Sequence, residues 1–363
     1  MRTINVVIVD DSAFMRKSLS LMLESDPQIK VVGTARDGRE GIDKIRELKP
    51  DIVTLDVEMP VMDGLAALRI IMKEMPLPVL MVSSITTDGA KATLDALSLG
   101  AVDFLSKELS YVSLDIVKIR DDLIAKVKEI VRSRSLQFRL QRIRGGQTGS
   151  DALRGKPRID SLSTQKLPTK EFGAVVIGVS TGGPFALLQI IPKLPEDFPY
   201  GIAIVQHMPP HFTRSMAERL DSLSNLRVRE AEEGDPIEAG VVLIAPGGKH
   251  MTFSRNGRGA KTKISLEPQN TLYRPSVDVM VRSAVENHQA PLLGVIMTGM
   301  GKDGLEGLKS LKKKAGYVIA QNEESCVVYG MPKAVVDEGI ADLVLPLGEI
   351  PTALTQIAHN RKS

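Results

Sequence analysis

The 363-residue sequence contains one cysteine, Cys326, and no tryptophan. A single cysteine excludes an internal disulfide framework and a cysteine-cluster metal site. Long apolar runs are also absent, since stretches such as PLLGVIM are of strand length and a membrane helix needs roughly 20 apolar residues. The first residues enter a strand-like run without the apolar stretch of a secretory signal. These absences predict a cytoplasmic protein that does not insert into membranes.

The sequence has little excess of charge of either sign. The formal net charge is only +3, and the basic excess is concentrated in residues 132–170, which also contain glycine, proline and serine in place of hydrophobic periodicity. This composition is typical of a solvated linker. A nucleic-acid patch is the alternative, but Phe138 is the sole aromatic residue there, so we expect no nucleic-acid partner.

Length sets the number of domains. A chain of 363 residues exceeds the size of one typical hydrophobic core. We predict a first domain at 1–125, a helix end with a basic flexible linker at 126–170, and a second domain at 171–363.

The first domain shows alternating strand-like and helix-like segments. Short alternation of this kind predicts an α/β fold, a doubly wound five-stranded parallel sheet with helices on both faces. A stripe of apolar residues with a spacing of three and four predicts its closing helix. The predicted strands are 6–11, 29–35, 51–57, 78–84 and 101–107, and the stripe comprises Ile116, Ile119, Leu123, Val127 and Ile130.

Polar residues end these predicted strands. Asp10 and Asp11 end the first, Asp56 the third, Ser83 the fourth and Lys107 the fifth. Because ligand chemistry in open parallel sheets gathers at the carboxyl ends of strands, we expect these side chains to converge. Three carboxylates at one edge repel each other and suit Mg²⁺, which prefers oxygen ligands. The hydroxyl and the ammonium group could hold the oxygens of a phosphoryl group on one carboxylate.

The segments VVIVDDS, TLDVEMPVMDG, MVSS and FLSK resemble the receiver domain of bacterial two-component response regulators. The resemblance implies a flavodoxin-like fold and phosphorylation of Asp56 by a histidine kinase. It also implies a Mg²⁺ site made by Asp10, Asp11, Asp56 and the backbone carbonyl of Glu58, with Phe104 as the aromatic residue that moves on activation. The sequence departs from the family in one place, because Lys107 is followed by glutamate where the family has proline.

The second domain again alternates strands and helices, which predicts another doubly wound, mostly parallel α/β domain. It is too long and too rich in strands for a helix-turn-helix unit. The predicted strands are 174–179, 201–206, 241–246, 291–297 and 317–321.

Ser180 follows the first of these strands in the sequence GVSTG, which fits the G-x-S-x-G pattern of a nucleophile on a tight strand-to-helix turn. A glycine-rich turn before a helix can equally bind a phosphate through backbone amides. The spacing fits neither of the common phosphate-binding glycine patterns. The pattern alone leaves both interpretations open.

A nucleophilic serine needs a base and an orienting acid. His207 follows the strand GIAIVQ, while His250, which also follows a strand, is the competing base. Asp303 follows the strand PLLGVIM, and Asp278 is the alternative acid at a predicted helix start. Ser180, His207 and Asp303 would all come from carboxyl ends of strands, as a catalytic triad requires.

Two other residues have less specific surroundings. His211 lies four residues after His207, but Pro209 and Pro210 intervene and no third metal ligand is evident, which disfavours a metal pair. Cys326 lies in an apolar segment without a neighbouring base, which favours a buried structural thiol over a nucleophile.

Several segments together resemble the protein-glutamate methylesterases of bacterial chemotaxis. These are IGVSTGGP, QHMPPHFTRSMAERL, IAPGGKHM, YRPSVDVM, MTGMGKDG and AQNEESCVVYGMPKAV, within residues 171 to 350. The resemblance implies Ser180 as nucleophile, His207 as general base and acid, and Asp303 as the orienting carboxylate. It also implies the backbone amides of Thr181 and Met300 as oxyanion donors, and no cofactor in this domain.

The resemblance implies a reaction as well: phosphorylation-activated hydrolysis of glutamyl methyl esters on chemoreceptors, with release of methanol. Deamidation of receptor glutamines would be a second activity of the same site. The alternatives are a response regulator with a non-enzymatic, helix-rich binding output and a general hydrolase of small esters.

Overall fold

The computed structural model describes residues 3–84, 86–107, 116–133, 167–256 and 259–360. The chain divides into two units, residues 1–155 and 156–363, and each is described by itself. Residues 134–166, which hold most of the predicted linker, lie outside the described residues.

The first unit alternates strand and helix throughout its described residues. Its strands form one parallel sheet in the order β2-β1-β3-β4-β5. The elements are β1 Ile4–Val9, α1 Ala13–Glu24, β2 Ile29–Ala35, α2 Gly38–Leu48, β3 Ile52–Asp56, α3 Gly64–Glu74, β4 Val79–Ser83, α4 Thr87–Leu99, β5 Asp103–Ser106 and α5 Ile116–Arg132.

Local sequence explains why the helices of this unit begin where they do. Asp37, Asp63 and Thr86 each accept a hydrogen bond from a backbone N–H of the first turn, so each caps a helix. The predicted stripe of the closing helix is confirmed at Leu123 and Val127, which are fully buried in α5. The predicted five-stranded parallel sheet is confirmed. The strand β2 has its predicted bounds, β1 lies two residues earlier than predicted, and β3, β4 and β5 are one or two residues shorter at each end.

The second unit has a larger parallel sheet of seven strands in the order β14-β13-β12-β6-β7-β9-β8. A separate antiparallel hairpin, β10–β11, extends from it. The elements are β6 Ala174–Val179, α6 Gly183–Ile190, β7 Gly201–Gln206, α7 Phe212–Asp221, β8 Arg227–Glu230, β9 Val241–Ile244, β10 His250–Asn256, β11 Gly259–Ser265, α8 Val277–Asn287, β12 Leu293–Ile296, α9 Leu305–Lys313, β13 Tyr317–Gln321, α10 Met331–Asp337, β14 Leu343–Leu345 and α11 Ile350–His359.

The order of these strands fixes where a site can form. From β6 the chain adds strands on one side through β7 and β9, and later returns to add β12, β13 and β14 on the other side. The loops that follow β6 and β12 therefore diverge, and a crevice opens between them at the carboxyl edge of the sheet. The same switch lies between β1 and β3 in the first sheet. The predicted parallel α/β architecture of the second domain is confirmed.

The core of the second unit lies between the sheet and its helices. Val176, Val205 and Ile296 of the sheet pack with Met280 and Leu308 of the helices, all at most 1% exposed. Such burial accounts for the near-continuous apolar runs of the central strands. Within the described residues, no helix has the length and hydropathy needed to cross a membrane.

Candidate active sites

Ser180 lies on a tight turn between β6 and α6. The backbone N–H of Gly183 donates to the Ser180 carbonyl at 2.8 Å, and Gly182 between them has a φ of 76°. This left-handed conformation favours glycine, and a Cβ there would also lie 2.5 Å from Val327 Cγ2. The turn leaves Ser180 half-buried at the mouth of the crevice.

His207 follows β7, the strand paired with β6, so it is carried to the same edge as Ser180. Its backbone N–H donates to the Val179 carbonyl at 3.3 Å. The side-chain amide of Gln206 donates to the carbonyls of Ser180 at 3.0 Å and of His207 at 3.3 Å. The loops bearing the serine and the histidine are therefore tied together.

The His207 imidazole is hydrogen-bonded to Asp303. Nε2 lies 2.8 Å from Asp303 Oδ2, and the two side chains are only 8% and 7% exposed. The other ring nitrogen, Nδ1, is buried and has no hydrogen-bond partner among the described residues. Tyr273 stacks on the imidazole face, with ring centroids 4.2 Å apart and planes 10° from parallel. The ring is thus fixed on its face and on one edge, while the Nδ1 edge is unpaired.

Asp303 is itself held at the amino terminus of α8. Its carboxylate accepts from the backbone amides of Val277 at 2.7 Å and Asp278 at 3.1 Å, and from the Ser276 hydroxyl at 2.9 Å. Burial by itself raises the pKa of Asp303, but the hydrogen bond and charge of His207 and these amides outweigh it and hold the pKa below its ordinary value. Asp303 is therefore an ionised acceptor.

The alternative base and acid have other partners. His250 is fully buried and its Nε2 lies 3.2 Å from Thr271 Oγ1, while burial and then the charge of Arg274 lower its pKa. Asp278 accepts from the backbone N–H of Gly307 at 2.7 Å, and burial raises its pKa. The structure therefore brings His207 together with Asp303 and pairs neither with His250 nor with the Asp278 carboxylate.

The loop after β12 faces the Ser180 turn. The carbonyl of Thr298 accepts from the Ser180 backbone N–H at 3.0 Å, and its hydroxyl donates to the Thr181 carbonyl at 2.8 Å. Among the described residues, the backbone N–H groups of Thr181 and Met300 have no acceptor. Two unpaired amides therefore flank the serine on the two loops that meet at the switch in strand order.

His211 and Cys326 take no part in this cluster. His211 is exposed and precedes the first turn of α7 with a φ of 70°, and Cys326 is a fully buried cysteine outside any disulfide. In the part of the chain that the structure describes, the only group of three or more side chains placed to hold a metal ion is an acidic cluster in the first unit.

That acidic cluster comprises Asp10, Asp11 and Asp56, whose carboxylate oxygens lie within 4.8 Å of one another. Lys107 Nζ lies 2.6 Å from Asp56 Oδ2, with hydrogen-bond geometry, and 3.1 Å from Asp10 Oδ2. Asp10 Oδ2 is buried and receives no hydrogen bond from the described residues. Three carboxylates facing one ammonium group leave an excess of negative charge, so the donor set fits a divalent cation.

Charge and burial oppose each other at this cluster. Burial raises the pKa of Asp56 to about 6, against the lowering effect of Lys107. Burial alone would lower the pKa of Lys107, but its pairing with Asp56 and Asp10 dominates and raises it. Asp11 is exposed, so the cluster opens to solvent on that side.

The remaining predicted residues of the receiver lie in β4, in β5 and in the loop after β3. Ser83, the last residue of β4, is fully buried, and its hydroxyl donates to backbone carbonyls of Ser84 at 3.2 Å and Gly89 at 3.1 Å. Phe104 in β5 is 6% exposed. Glu58 lies two residues beyond Asp56 in the loop after β3. In this structure the Ser83 hydroxyl is therefore hydrogen-bonded to backbone carbonyls just before and within the first turn of α4.

Family models match both units. The model described as "CheB methylesterase" covers residues 175–354, and the model described as "Response regulator receiver domain" covers residues 6–116. A solved structure of the Thermotoga maritima CheB methylesterase catalytic domain is 46% identical, with a TM-score of 0.50, and covers 52% of this chain and 100% of its own.

Curated relatives match over nearly the full length. Protein-glutamate methylesterase/protein-glutamine glutaminase 1 of Oleidesulfovibrio alaskensis is 52% identical over 98% of this chain and 100% of its own. A relative of the same name from Thermotoga maritima, without the number, is 44% identical over 98% of this chain and 99% of its own.

The receiver sheet and the matched second unit define a response regulator with an enzymatic output. The chain belongs to the protein-glutamate methylesterase/protein-glutamine glutaminase family. The predicted family and enzyme class are confirmed. The seven-stranded sheet differs from the helix-rich output that the binding alternative predicts.

Three residues of the site escaped the sequence analysis: Gln206, Tyr273 and Thr298. Each lies within a motif that the sequence analysis named, but none has a side chain whose type by itself predicts catalysis. Their positions in the motifs QHMPPH, YRPSVD and MTGMG are the only signal that could have found them.

Proposed function

We propose that the second unit hydrolyses glutamyl methyl esters on chemoreceptors through Ser180, His207 and Asp303. The observation that carries this proposal is the buried hydrogen bond between His207 Nε2 and Asp303 Oδ2, at the sheet edge that also carries Ser180. The names of the relatives support the substrate class.

Proton transfer follows from the pairing of the imidazole. With Nε2–H donated to ionised Asp303, the lone pair of the ring lies on Nδ1, the nitrogen without a partner among the described residues. Nδ1 takes the proton of Ser180 Oγ as the oxygen attacks the side-chain carbonyl carbon of the ester. The resulting imidazolium returns this proton to the methoxide that leaves, which releases methanol.

The acyl-enzyme is then hydrolysed by the same groups. Water loses a proton to Nδ1 of His207 and attacks the acyl carbon, and Ser180 leaves with that proton to give glutamate. In both steps negative charge develops on the carbonyl oxygen. The unpaired amides of Thr181 and Met300 are oriented donors for this oxyanion.

Deamidation of glutamine is a second reaction of the same site, favoured by the glutaminase in the names of the relatives. The acyl-enzyme is identical, and only the leaving group differs. Ammonia leaves after His207 protonates the amide nitrogen.

The first unit would regulate this activity through phosphorylation of Asp56 by a histidine kinase. Asp10, Asp11, Asp56 and the backbone carbonyl of Glu58 would hold Mg²⁺, a fit supported by three carboxylates that face a single ammonium group. Mg²⁺ supplies charge neutralisation for a phosphoryl group when bound. Lys107 and Ser83 would contact the phosphoryl oxygens, and Phe104 would move on activation.

The test measures methanol release from receptor membranes with labelled methyl esters. Ser180→Ala and His207→Ala should each abolish turnover, because nucleophile and base act as a unit. Asp303→Asn should leave residual activity of roughly 10⁻² to 10⁻⁴ of wild type, since the acid orients the base without reacting. His250→Ala is the matched control and should stay active. An inactive His250→Ala beside an active His207→Ala would contradict the assignment.

A further inference from the structure

Gln206 is a buried amide that no step of the reaction uses. It is the last residue of β7 and is 2% exposed. Its two N–H bonds point to the backbone carbonyls of Ser180 and His207, the proposed nucleophile and base. Its carbonyl oxygen Oε1 is buried without a hydrogen bond among the described residues. An amide buried with an unpaired oxygen costs stability, so its retention here calls for a role other than stabilising the fold.

The contact with Ser180 fixes more than the serine. The Ser180 carbonyl belongs to the same planar peptide as the Thr181 N–H, and in a trans peptide the two groups point in opposite directions. Two donors hold that carbonyl, Gln206 Nε2 at 3.0 Å and the Gly183 N–H at 2.8 Å. Holding the oxygen on one side therefore aims the Thr181 N–H to the other side, where it has no acceptor.

The second amide is aimed in the same way. The Gly299 carbonyl shares a peptide with the Met300 N–H, and it accepts from the backbone amides of Gly330 at 3.0 Å and Met331 at 2.9 Å. Both donors to the Gly299 carbonyl are backbone amides. The Ser180 carbonyl differs, because one of its two donors is the side chain of Gln206, which also donates to the carbonyl of His207.

We propose that Gln206 is a positioning residue that orients the Thr181 N–H toward the developing oxyanion and fixes the serine turn relative to the histidine loop. This inference rests on the function proposed above and deepens it. Aiming a donor matters most in the transition state, when negative charge appears on the substrate oxygen. Loss of Gln206 should therefore lower kcat while leaving KM nearly unchanged.

The test uses the full-length phosphorylated protein with Gln206→Met, which keeps the length of the side chain and removes both donors. Because removal of the amide also removes an unpaired buried oxygen, we expect the variant to fold. Its kcat for methanol release should fall by about 10- to 100-fold with KM within about threefold, less than the loss expected on removing a donor outright. Gln206→Glu, which faces the two carbonyls with a carboxylate, should lose at least as much.

A second readout is the rate at which an alkyl fluorophosphonate labels Ser180, since the phosphoryl oxygen of that reagent develops charge where the oxyanion would lie. This rate should fall in parallel with kcat in Gln206→Met. Thr262→Val is the matched control, because it removes another buried polar group, a hydroxyl of β11 that accepts a 2.9 Å hydrogen bond from the Asp235 N–H. It should react at the wild-type rate.

Folded Gln206→Met with wild-type kcat and labelling rate would overturn the positioning role, and so would an equal loss in Thr262→Val. Should Gln206→Met not fold, Gln206→Glu decides by the same two readouts. A wild-type protein that is labelled but releases no methanol would overturn the proposed function, while the effect of Gln206→Met on labelling would still decide the role of Gln206.

Discussion

The imidazole of His207 has Asp303 on one edge and Tyr273 on one face, and the backbone N–H of His207 is bonded to β6. These contacts have different functions. The carboxylate selects which nitrogen carries the hydrogen, whereas the stacked ring restricts rotation and keeps water from one face. Only the first contact could have been inferred from residue types, because a tyrosine gives no catalytic signal in a sequence.

Tyr273 is therefore a residue whose loss should affect catalysis through His207. Tyr273→Leu should lower kcat for ester hydrolysis by about tenfold, because a misplaced base costs rate steeply. Tyr273→Phe keeps the stacked ring and should retain activity within about threefold of wild type. Steady-state methanol release measures both. If Tyr273→Leu were as active as wild type, the prediction that Tyr273 positions the His207 imidazole would be contradicted.

Asp56 carries a second prediction at the residue scale. Its pKa is raised from 3.8 to about 6 in the folded protein, so the folded state binds this proton more tightly than the unfolded chain does. The contribution of this proton to the free energy of unfolding is complete below pH 3.8 and is lost as the pH rises through about 6. At pH 7 the ionised carboxylate thus destabilises the fold.

Asp56→Asn should therefore raise the free energy of unfolding of the first unit at pH 7 by about 1 kcal/mol, allowing for the solvent-open side of the cluster. Lys107 keeps a partner, since it still lies beside Asp10. Urea denaturation of both proteins across this pH range measures the difference, which should shrink toward pH 4. Added Mg²⁺ should stabilise wild type more than the variant. A variant less stable than wild type at pH 7 would contradict the prediction.

Among the elements, α6 depends on a very close approach to β7. A Cβ on Gly183 would overlap the Gln206 side-chain oxygen and lie 2.8 Å from Val179 Cγ2. The helix can therefore begin three residues after Ser180 only if its first residue has no side chain. The need for glycine at position 183 comes from this lack of space and not from the backbone conformation, because the left-handed φ belongs to Gly182.

Gly183→Ala should displace Gln206 and tilt the start of α6. We expect a loss of about 1–3 kcal/mol in the free energy of unfolding of the second unit, as for overpacked cores. Ester hydrolysis should fall as well, because the serine turn moves. Gly348→Ala is the matched control, since a Cβ there meets no atom within 4 Å. Chemical denaturation and methanol release of both variants check the prediction, and similar behaviour of the two would contradict it.

Several elements of the second unit escaped the sequence analysis: β8, the hairpin β10–β11 and β14. The strand β8 reads RVRE, with a single apolar residue, and β14 reads LVL, an apolar run of only three residues. Edge strands and hairpins pair through backbone groups and need few buried side chains. Such elements become visible only once the central strands that they flank are in place.

At the scale of the whole molecule, we predict that the receiver unit restrains the esterase unit until Asp56 is phosphorylated. A fragment of residues 156–363 should then release methanol about 10- to 100-fold faster than the unphosphorylated full-length protein. This ratio corresponds to a free-energy difference of about 1.4–2.8 kcal/mol between the restrained and the active state. Phosphorylation of the full-length protein by a small phosphodonor should give a similar gain.

The control is full-length Asp56→Asn, which should stay at the basal rate in the presence of the phosphodonor. Rates are measured on the same receptor membranes. A fragment no faster than the unphosphorylated protein would show that the receiver does not restrain the enzyme, and phosphorylation would then have to act by a positive effect.

The sequence by itself determined both parallel sheets and the edge at which the chemistry gathers. Apolar runs of strand length alternate with helical segments, and Asp56, Ser180, His207 and Asp303 each end or follow such a run. Because parallel strands deliver their carboxyl ends to one edge, this placement needs no knowledge of side-chain packing.

Only the tertiary structure decided which residues pair. In the sequence, His207 and His250 both follow predicted strands, as Ser180 and Asp303 do, so sequence position cannot choose between the two histidines. The path of the loops decides, because it turns one imidazole onto Asp303 and the other onto Thr271. The same holds for Gln206 and Tyr273, whose contacts join loops far apart in the chain. Hydrogen bonds and ring stacking depend on distances of a few ångströms, and the sequence pattern fixes only which edge of the sheet a residue reaches.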